Sequence, residues 1–533
     1  NHEQDCLGVA SDCAKPVCVA GQCGTENAAK GNACVGEAKA HVCDGKGNCV
    51  ECNHEQDCLG VASDCAKPVC VAGQCGTENA AKGNACVDEA KAHVCDGKGN
   101  CVECNDGSDC APQICDQGQC VPPECDSDAT DCDADGWKVA DGDCCDQPGP
   151  CGLEPKLINP GAIDVVGNGI DDNCNGVIDL FDVSDTVPCD DGLASNSTNA
   201  VDYAKAIGIC RQTQEKPPNP KSKTWGLISA ALVRADGTAL GDHKSHSIRT
   251  GFGKTKPAVL EGKSVAVFSS GIASDASQQN PGPNGGAPDG GNVSNTHSPA
   301  SEVNVLSCND PSCIKDWFSS ESPGLKKKNE LPVAPNCGAG NAGNPELARD
   351  SVMLKLRLRA PTNAKAFSFN SFFISAEYPE YVCTNYTDQF IALVATPGGM
   401  PSPIPNPPDK NLMIYDDGQK KWPVGINIAS GTNLFAVCVP QNIAGNCWDN
   451  DVSTKSCALG NSQLTGTGFD KPQGANCDIG GGSYWLTTSG NVIPGDIVEL
   501  RIVIWDVGDT TFDSLALVDG FKWLSAATVP GTE

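Results

Sequence analysis

From Trp225 onward, apolar and polar residues alternate with a period of two, most plainly in Leu354-Lys-Leu-Arg-Leu-Arg359 and Val498-Glu-Leu-Arg-Ile502. That period sends successive side chains to opposite faces of a strand, so these stretches predict half-buried antiparallel strands. Ser264–Phe268 and Phe367–Ile374 predict further strands, and Ile502–Trp505 extends one into a more buried edge. The Gly/Asn/Pro/Ser-rich segment 275–300 and the Pro-rich run 399–409 predict loop insertions. Short strands with long loops favour a large C-terminal antiparallel β-sandwich, jelly-roll-like, over an α/β fold. A short helix is predicted at Thr198–Ile207, stopped by Gly208. Before residue 126 no comparable pattern exists. Turn signals recur at Gly21-Gln22, Gly31-Asn32 and Asp44–Asn48, predicting small hairpins and loops with one helical turn near Glu37–Ala40.

These N-terminal residues form a tandem repeat. Residues 1–52 recur as 53–104 with one change, Gly36 to Asp88, and each copy holds eight cysteines. A shortened third copy, 105–125, reads as an adaptor ending the array, since Cys104-Asn-Asp-Gly-Ser-Asp-Cys110 matches Cys52-Asn-His-Glu-Gln-Asp-Cys58. An active site is rarely duplicated so faithfully, whereas a length-setting module often is. Asn1 stands where Asn53 and Asn105 follow a cysteine, so further repeats are expected upstream.

Cysteine content decides what replaces a core in this region. Of 35 cysteines, 27 precede residue 211, a density that marks a disulfide scaffold of extracellular type. Zinc clusters would need matched CxxC pairs, and only Cys49-Val-Glu-Cys52 and Cys101-Val-Glu-Cys104 occur, one per repeat. Eight cysteines allow 105 pairings, so connectivity stays open. The net charge of −30 argues against nucleic acid and against adhesion to anionic lipid. No apolar run is long enough to span a membrane.

Many of the carboxylates sit in Asp/Asn/Gly loops, a pattern that suggests bound calcium. Asp131, Asp133 and Asp135 alternate before Gly136 and Trp137, whose carbonyl adds a backbone ligand, and Asp141, Asp143 and Asp146 lie where they close the loop. A second loop repeats the logic with Asp171, Asp172, Asn173, Asn175, Val177 and Asp179, tied down by Cys174. The alternative is a set of Asx-rich turns with no ion. A further oxygen-rich site is expected from Glu377, Asp388, Asp506, Asp509 and Asp513 between strand ends, against the alternative of solvated loop carboxylates and caps.

Two family resemblances follow from these residues. Asp131 to Trp137, Gly142-Asp-Cys-Cys-Asp146, Pro160-Gly-Ala162 and Asp172 to Asp179 resemble the bacterial MopE-type metal-binding motif, with Ala134, Cys145 and Asn175 departing from its pattern. Neither loop offers the His or Met donors that copper prefers, so calcium is expected. The region of about 187–528 resembles the choice-of-anchor L domain of bacterial surface proteins. The residues carrying that resemblance are Trp225-Gly-Leu-Ile-Ser-Ala, Ser269–Ala273, Ser375–Val382, Tyr386–Phe390 and Ile504–Phe521. This implies an exported domain held at the cell surface by an anchor. The domain plan is then repeats 1–52 and 53–104, adaptor 105–125, metal-binding segment 126–186 and head 187–533.

No His-Glu-x-x-His helix, Gly-x-Ser-x-Gly elbow or phosphate-binding loop occurs. His243, His246 and His297 read as exposed loop residues. The expectation is therefore a non-enzymatic extracellular protein: a calcium- and disulfide-stabilised filament or surface-stalk subunit that self-associates into a homopolymer or layer. The alternative is a lectin-like, calcium-dependent adhesin whose head binds glycan, with Trp422, Trp448 and Trp485 beside polar loops as contacts, against their packing over a sandwich edge; a secreted hydrolase is the third reading, after these two.

Overall fold

The computed structural model describes the chain apart from residues 1–5, 7–10, 36–39, 59–62, 89–90, 106–108, 110–113, 117, 122–127, 129, 148–150, 152–153, 179–187, 220–222, 241–244, 254–258, 274–301, 338–343, 380, 402, 439–456, 468, 470–479, 509 and 511. The helical turn expected near Glu37–Ala40, Asp179 and Asp509 therefore fall wholly or largely outside the described residues. The chain divides into two compact units, Asn1–Ala134 and Asp135–Glu533.

In the first unit each repeat makes a hairpin followed by a small sheet. Ala14–Val19 pairs with Gln22–Asn27 and Ala66–Val71 with Gln74–Asn79. Both turn through an Ala-Gly pair with positive φ, Ala20-Gly21 and Ala72-Gly73, the geometry that matches strand twist in a two-residue loop. Three short strands follow, Ala33–Val35, Ala40–Cys43 and Cys49–Val50 in the first copy and Ala85–Asp88, Lys91–Cys95 and Cys101–Val102 in the second.

The buried centre of each repeat is sulfur: Cys13, Cys34 and Cys43, then Cys65, Cys86 and Cys95. Bonds 13–43 and 34–49 recur as 65–95 and 86–101, and 6–23 recurs as 58–75. The last cysteine of each repeat reaches forward into the next, Cys52 to Cys70 and Cys104 to Cys115. Cys18 occupies the position of Cys70 and Cys115 and carries a free thiol. Each forward joint repeats in detail. Glu51 N donates to Gly73 O at 2.9 Å and Cys75 N to Glu51 Oε2 at 3.0 Å, and Glu103, Gly118 and Cys120 reproduce both bonds at 2.9 Å. A Cβ on Gly73 would come within 3.2 Å of Val50, so the joint has little space for anything larger than glycine.

The second unit is a β-sandwich of antiparallel pairs, as the alternation predicts. We label its principal strands β1 (Gly226–Val233), β2 (His246–Arg249), β3 (Val265–Ser269), β4 (Leu347–Arg359), β5 (Ala366–Ser375), β6 (Gln389–Ala395), β7 (Leu486–Asn491), β8 (Ile497–Asp506) and β9 (Ser514–Leu524). One sheet runs β1-β4-β8-β6, with the short strand Val303–Asn304 also paired to β4, and the other β2-β3-β9-β5-β7, extended by three short strands beyond β7 and a fourth, Gly481–Gly482, paired to β5. Leu354, Leu356, Leu358, Leu500 and Ile502 of the first sheet pack on Phe367, Phe369, Phe373, Ala516 and Val518 of the second. Both outer faces are also covered. Trp317 and Phe318 lie over Met353, Val503 and Trp505, while Phe252, Leu464 and Phe469 lie over Val267, Ile374 and Leu517. Double coverage explains why Val265–Ser269 and Ile502–Trp505 are buried without alternation.

The predicted helix is present at Ala200–Ala206, capped by the Asn199 side chain and ended at Gly208 with φ 99°. His246 departs from the expectation of exposure. It lies buried in β2 with Nδ1 2.6 Å from the Tyr203 hydroxyl, because a helix residue supplies the polar partner that the local sequence does not announce.

Asp519 in β9 fastens the loop before β3, accepting from Leu260 N at 2.7 Å. Burial pushes its carboxyl up to about 7, and three backbone donors only partly offset this. The folded value lies above the unfolded one. The stability it contributes is therefore complete below about pH 4 and lost as pH rises through about 7. At full strength that loss is on the order of 4 kcal/mol. In excess calcium, Tm should fall between pH 5 and pH 8 in the wild type and fall less in D519N; equal slopes would refute the assignment.

Candidate metal centre

The first Asp-rich loop passes from one compact unit into the other. Asp131 and Asp133 close the first unit, with carboxylate oxygens within 4.8 Å of one another. Asp135 opens the second unit and converges to within the same distance on Asp143, which is buried. Asp135 Oδ1 accepts from Trp137 N at 2.7 Å and its Oδ2 from Asn159 Nδ2 at 2.7 Å. Asp143 Oδ1 accepts from Cys145 N at 2.8 Å. Asp146 and the Trp137 side chain are buried, and Asp141 is half-buried. A carboxylate oxygen that accepts one hydrogen bond keeps a second lone pair with which it can bind a cation.

The second loop is cross-linked to the first through Cys144–Cys174. Its oxygens serve its own backbone. Asp171 accepts from Asn175 N and Gly176 N, Asp172 from Val165 N and Asn168 Nδ2, Asn173 from Asn175 N, and Asn175 from Val177 N. Among the described residues no three metal-ligating side chains of this loop converge. Val177 is exposed. Asp164, which the sequence reading passed over, receives Asn173 Nδ2 at 2.9 Å. Its place in the loop was visible only as one more Asp between two glycine-rich turns.

This Asp-rich stretch is docked on the head. Trp225 Nε1 donates to Ala162 O at 2.9 Å, and Asn363 exchanges two hydrogen bonds with Ile163. Thr362 Oγ1 donates to Asn159 Oδ1 at 2.7 Å. A groove of about 430 Å³ lies beside this contact, lined by Trp225, Phe521 and Trp523 with Asp164, Asp190 and Glu261. Trp422, read as a surface candidate, is buried, with Nε1 donating to Asp417 at 3.0 Å, and Trp485 stacks edge-on to Phe372. Trp448 lies outside the described residues.

At one end of the sandwich, Glu377, Asp388, Asp506 and Asp513 are all buried to 2 % exposure or less, and so is Asp350 of β4, which follows Arg349, the register partner of Asp506. The alternative of solvated loop carboxylates is thereby excluded for these four. Asp388 directly precedes Gln389, the partner of Trp505, so Asp388 and Asp506 stand side by side across β6 and β8. Both continue the inward parity of their strands, in line with Phe390, Ala392, Ile502 and Ile504. Asp388 N donates to Glu377 Oε2 at 3.2 Å and Val507 N to Asp388 Oδ1 at 3.2 Å. Burial first, and then neighbouring carboxylates, hold Asp388 and Asp506 well above the usual carboxylate range.

A family model for the choice-of-anchor L domain matches residues 339–520. That range runs from just before β4 into β9, so the blocks at Trp225 and Ser269–Ala273 fall outside it, and the resemblance is narrower than the sequence reading of 187–528. No curated protein and no solved structure matches the chain. The matched domain is one of surface-associated proteins, and the disulfides fit the oxidising space outside the cytoplasm. No helix among the described residues is long and apolar enough to cross a membrane.

Proposed function

We propose that the chain is a non-enzymatic structural protein of the bacterial cell surface. In this reading a disulfide-chained array carries a calcium-bearing segment and a β-sandwich head into a stalk or filament. The forward disulfide joint supports it most directly: the same bond and the same backbone contacts recur at successive repeats, which makes the array covalently continuous along its length. The MopE-like carboxylates, converging in pairs around buried Asp133 and Asp143, are suited to calcium, whose hard oxygen donors they supply. The half-exposed outer strand β1 offers backbone groups for association between heads.

Sedimentation velocity of the oxidised chain tests this reading. In calcium the sedimentation coefficient should grow with protein concentration, and D135N/D143N should lose that growth. A single monomer boundary at every concentration, with and without calcium, would refute it.

The groove beside Trp225 supports a second reading, a lectin-like adhesin, because it combines aromatic faces with carboxylate acceptors. Calcium-dependent hits on a glycan array, abolished by W523A, would favour it; an array without hits would dismiss it.

A further inference from the structure

The end of the sandwich core is built where an apolar layer would be expected, yet it is lined with oxygen. Asp388, Asp506 and Ser514 keep the inward parity of β6, β8 and β9, and each is at most 1 % exposed. Four of their side-chain atoms make no hydrogen bond of normal geometry, Asp388 Oδ2, both oxygens of Asp506 and Ser514 Oγ, although Ser514 and Asp506 both lie close enough to bear on Asp388. Ser270 and Asp388 face Asp506, close enough to bias its charge without a bond of normal geometry. Like charges placed directly opposite on neighbouring strands destabilise a sheet, and an uncompensated buried carboxylate is costlier still. The strongest influences on Asp506 are burial, carboxylates and a serine, with no cationic side chain among them.

The surroundings hold this arrangement rigidly. Ser514 N donates to Ser270 Oγ at 2.9 Å, Ser270 N to Ser514 O at 3.0 Å, and Ala376 N to Asp513 O at 3.1 Å. Gly271 lies so close beneath Asp513 that a Cβ there would fall 1.9 Å from its Oδ2. The ends of β3, β9 and β5, all of one sheet, are thus pinned beside the cluster by bonds that do not use the carboxylate oxygens of Asp388 and Asp506.

We propose that Asp388, Asp506 and Ser514 form a buried site for one hard divalent cation, of the calcium class, that ties the two sheets together at this end of the head. Oxygen-only donors select such an ion, and two carboxylates match its charge. The site is separate from the Asp-rich loops. Because its ligands are sealed inside the core, the ion enters as the head folds and leaves only when it opens.

The test counts metal. The full, oxidised chain is produced in calcium, treated briefly with chelator, freed of small molecules and analysed by atomic emission. About one calcium per chain should survive in the wild type and in D135N/D143N, whose loop ions are accessible. None should survive in D388N/D506N, whose calcium-dependent rise in Tm should also vanish. Retention of the same metal by D388N/D506N, or none in the wild type, would overturn the proposal. Should the double variant fail to fold, the wild type is unfolded with its disulfides intact and refolded in terbium. Emission sensitised by Trp505 and diminished in W505F supports the site, and its absence refutes it. Loss of loop calcium in D135N/D143N bears on the loop reading and leaves this one standing.

Discussion

Stretched between Cys13 and Cys115, the oxidised array should yield no more than about 100 Å of contour, and after reduction about 360 Å, taking roughly 3.5 Å for each extended residue. The cap follows from connectivity. Force entering at Cys13 crosses to Cys43, travels nine residues to Cys52, crosses to Cys70, runs five residues back to Cys65, crosses to Cys95, and travels nine more to Cys104 before crossing to Cys115. About 23 residue steps therefore bear the load in place of the 102 that separate positions 13 and 115. Each crossing adds a Cα separation of 5.3 to 5.8 Å. Single-molecule stretching with and without reductant reads this directly. An oxidised array that lengthens as far as the reduced one would mean that the load path is not the one described.

Removing one of these bonds should open a whole repeat. In C65S/C95S the buried sulfur centre of the second copy is lost along with closure of a 30-residue loop. Chain entropy alone assigns such a loop about 3–4 kcal/mol, and among the described residues the repeat has no apolar core beyond this sulfur centre to offset the loss. Hydrogen exchange should show the amides of 66–102 losing protection while those of β4, β5, β8 and β9 keep theirs. Uniform protection across both units in the variant would show that the repeats are held by something other than their disulfides.

What could be read from the sequence tracks how local the physics is. The sandwich strands announced themselves because one face of β4 and part of β8 meets a different environment from the other. The disulfide scaffold was legible from cysteine density, but its forward joint was not, because a repeat boundary drawn after Cys52 hides a bond that crosses it. Burial of His246 depends on Tyr203, 43 residues away. The head cluster is the sharpest case. Glu377, Asp388, Asp506 and Asp513 were marked as an oxygen-rich group at strand ends, where acidic residues usually meet water, and only the pairing of β6 with β8 shows two of them inside the core. In the Asp-rich segment, pattern identified the loops, while the Cys144–Cys174 bond ties Cys144 to the second loop and the contacts of Trp225, Thr362 and Asn363 fix residues 159–163 to the head.

Whether this chain builds an ordered surface structure is decided by electron microscopy of the protein on, or gently released from, the cells that make it. Fibres or stalks of regular diameter should be seen, carrying sandwich-sized heads and coming apart when both calcium and disulfides are removed. Dispersed single particles with no ordered assembly, under conditions that keep calcium and disulfides intact, would contradict it.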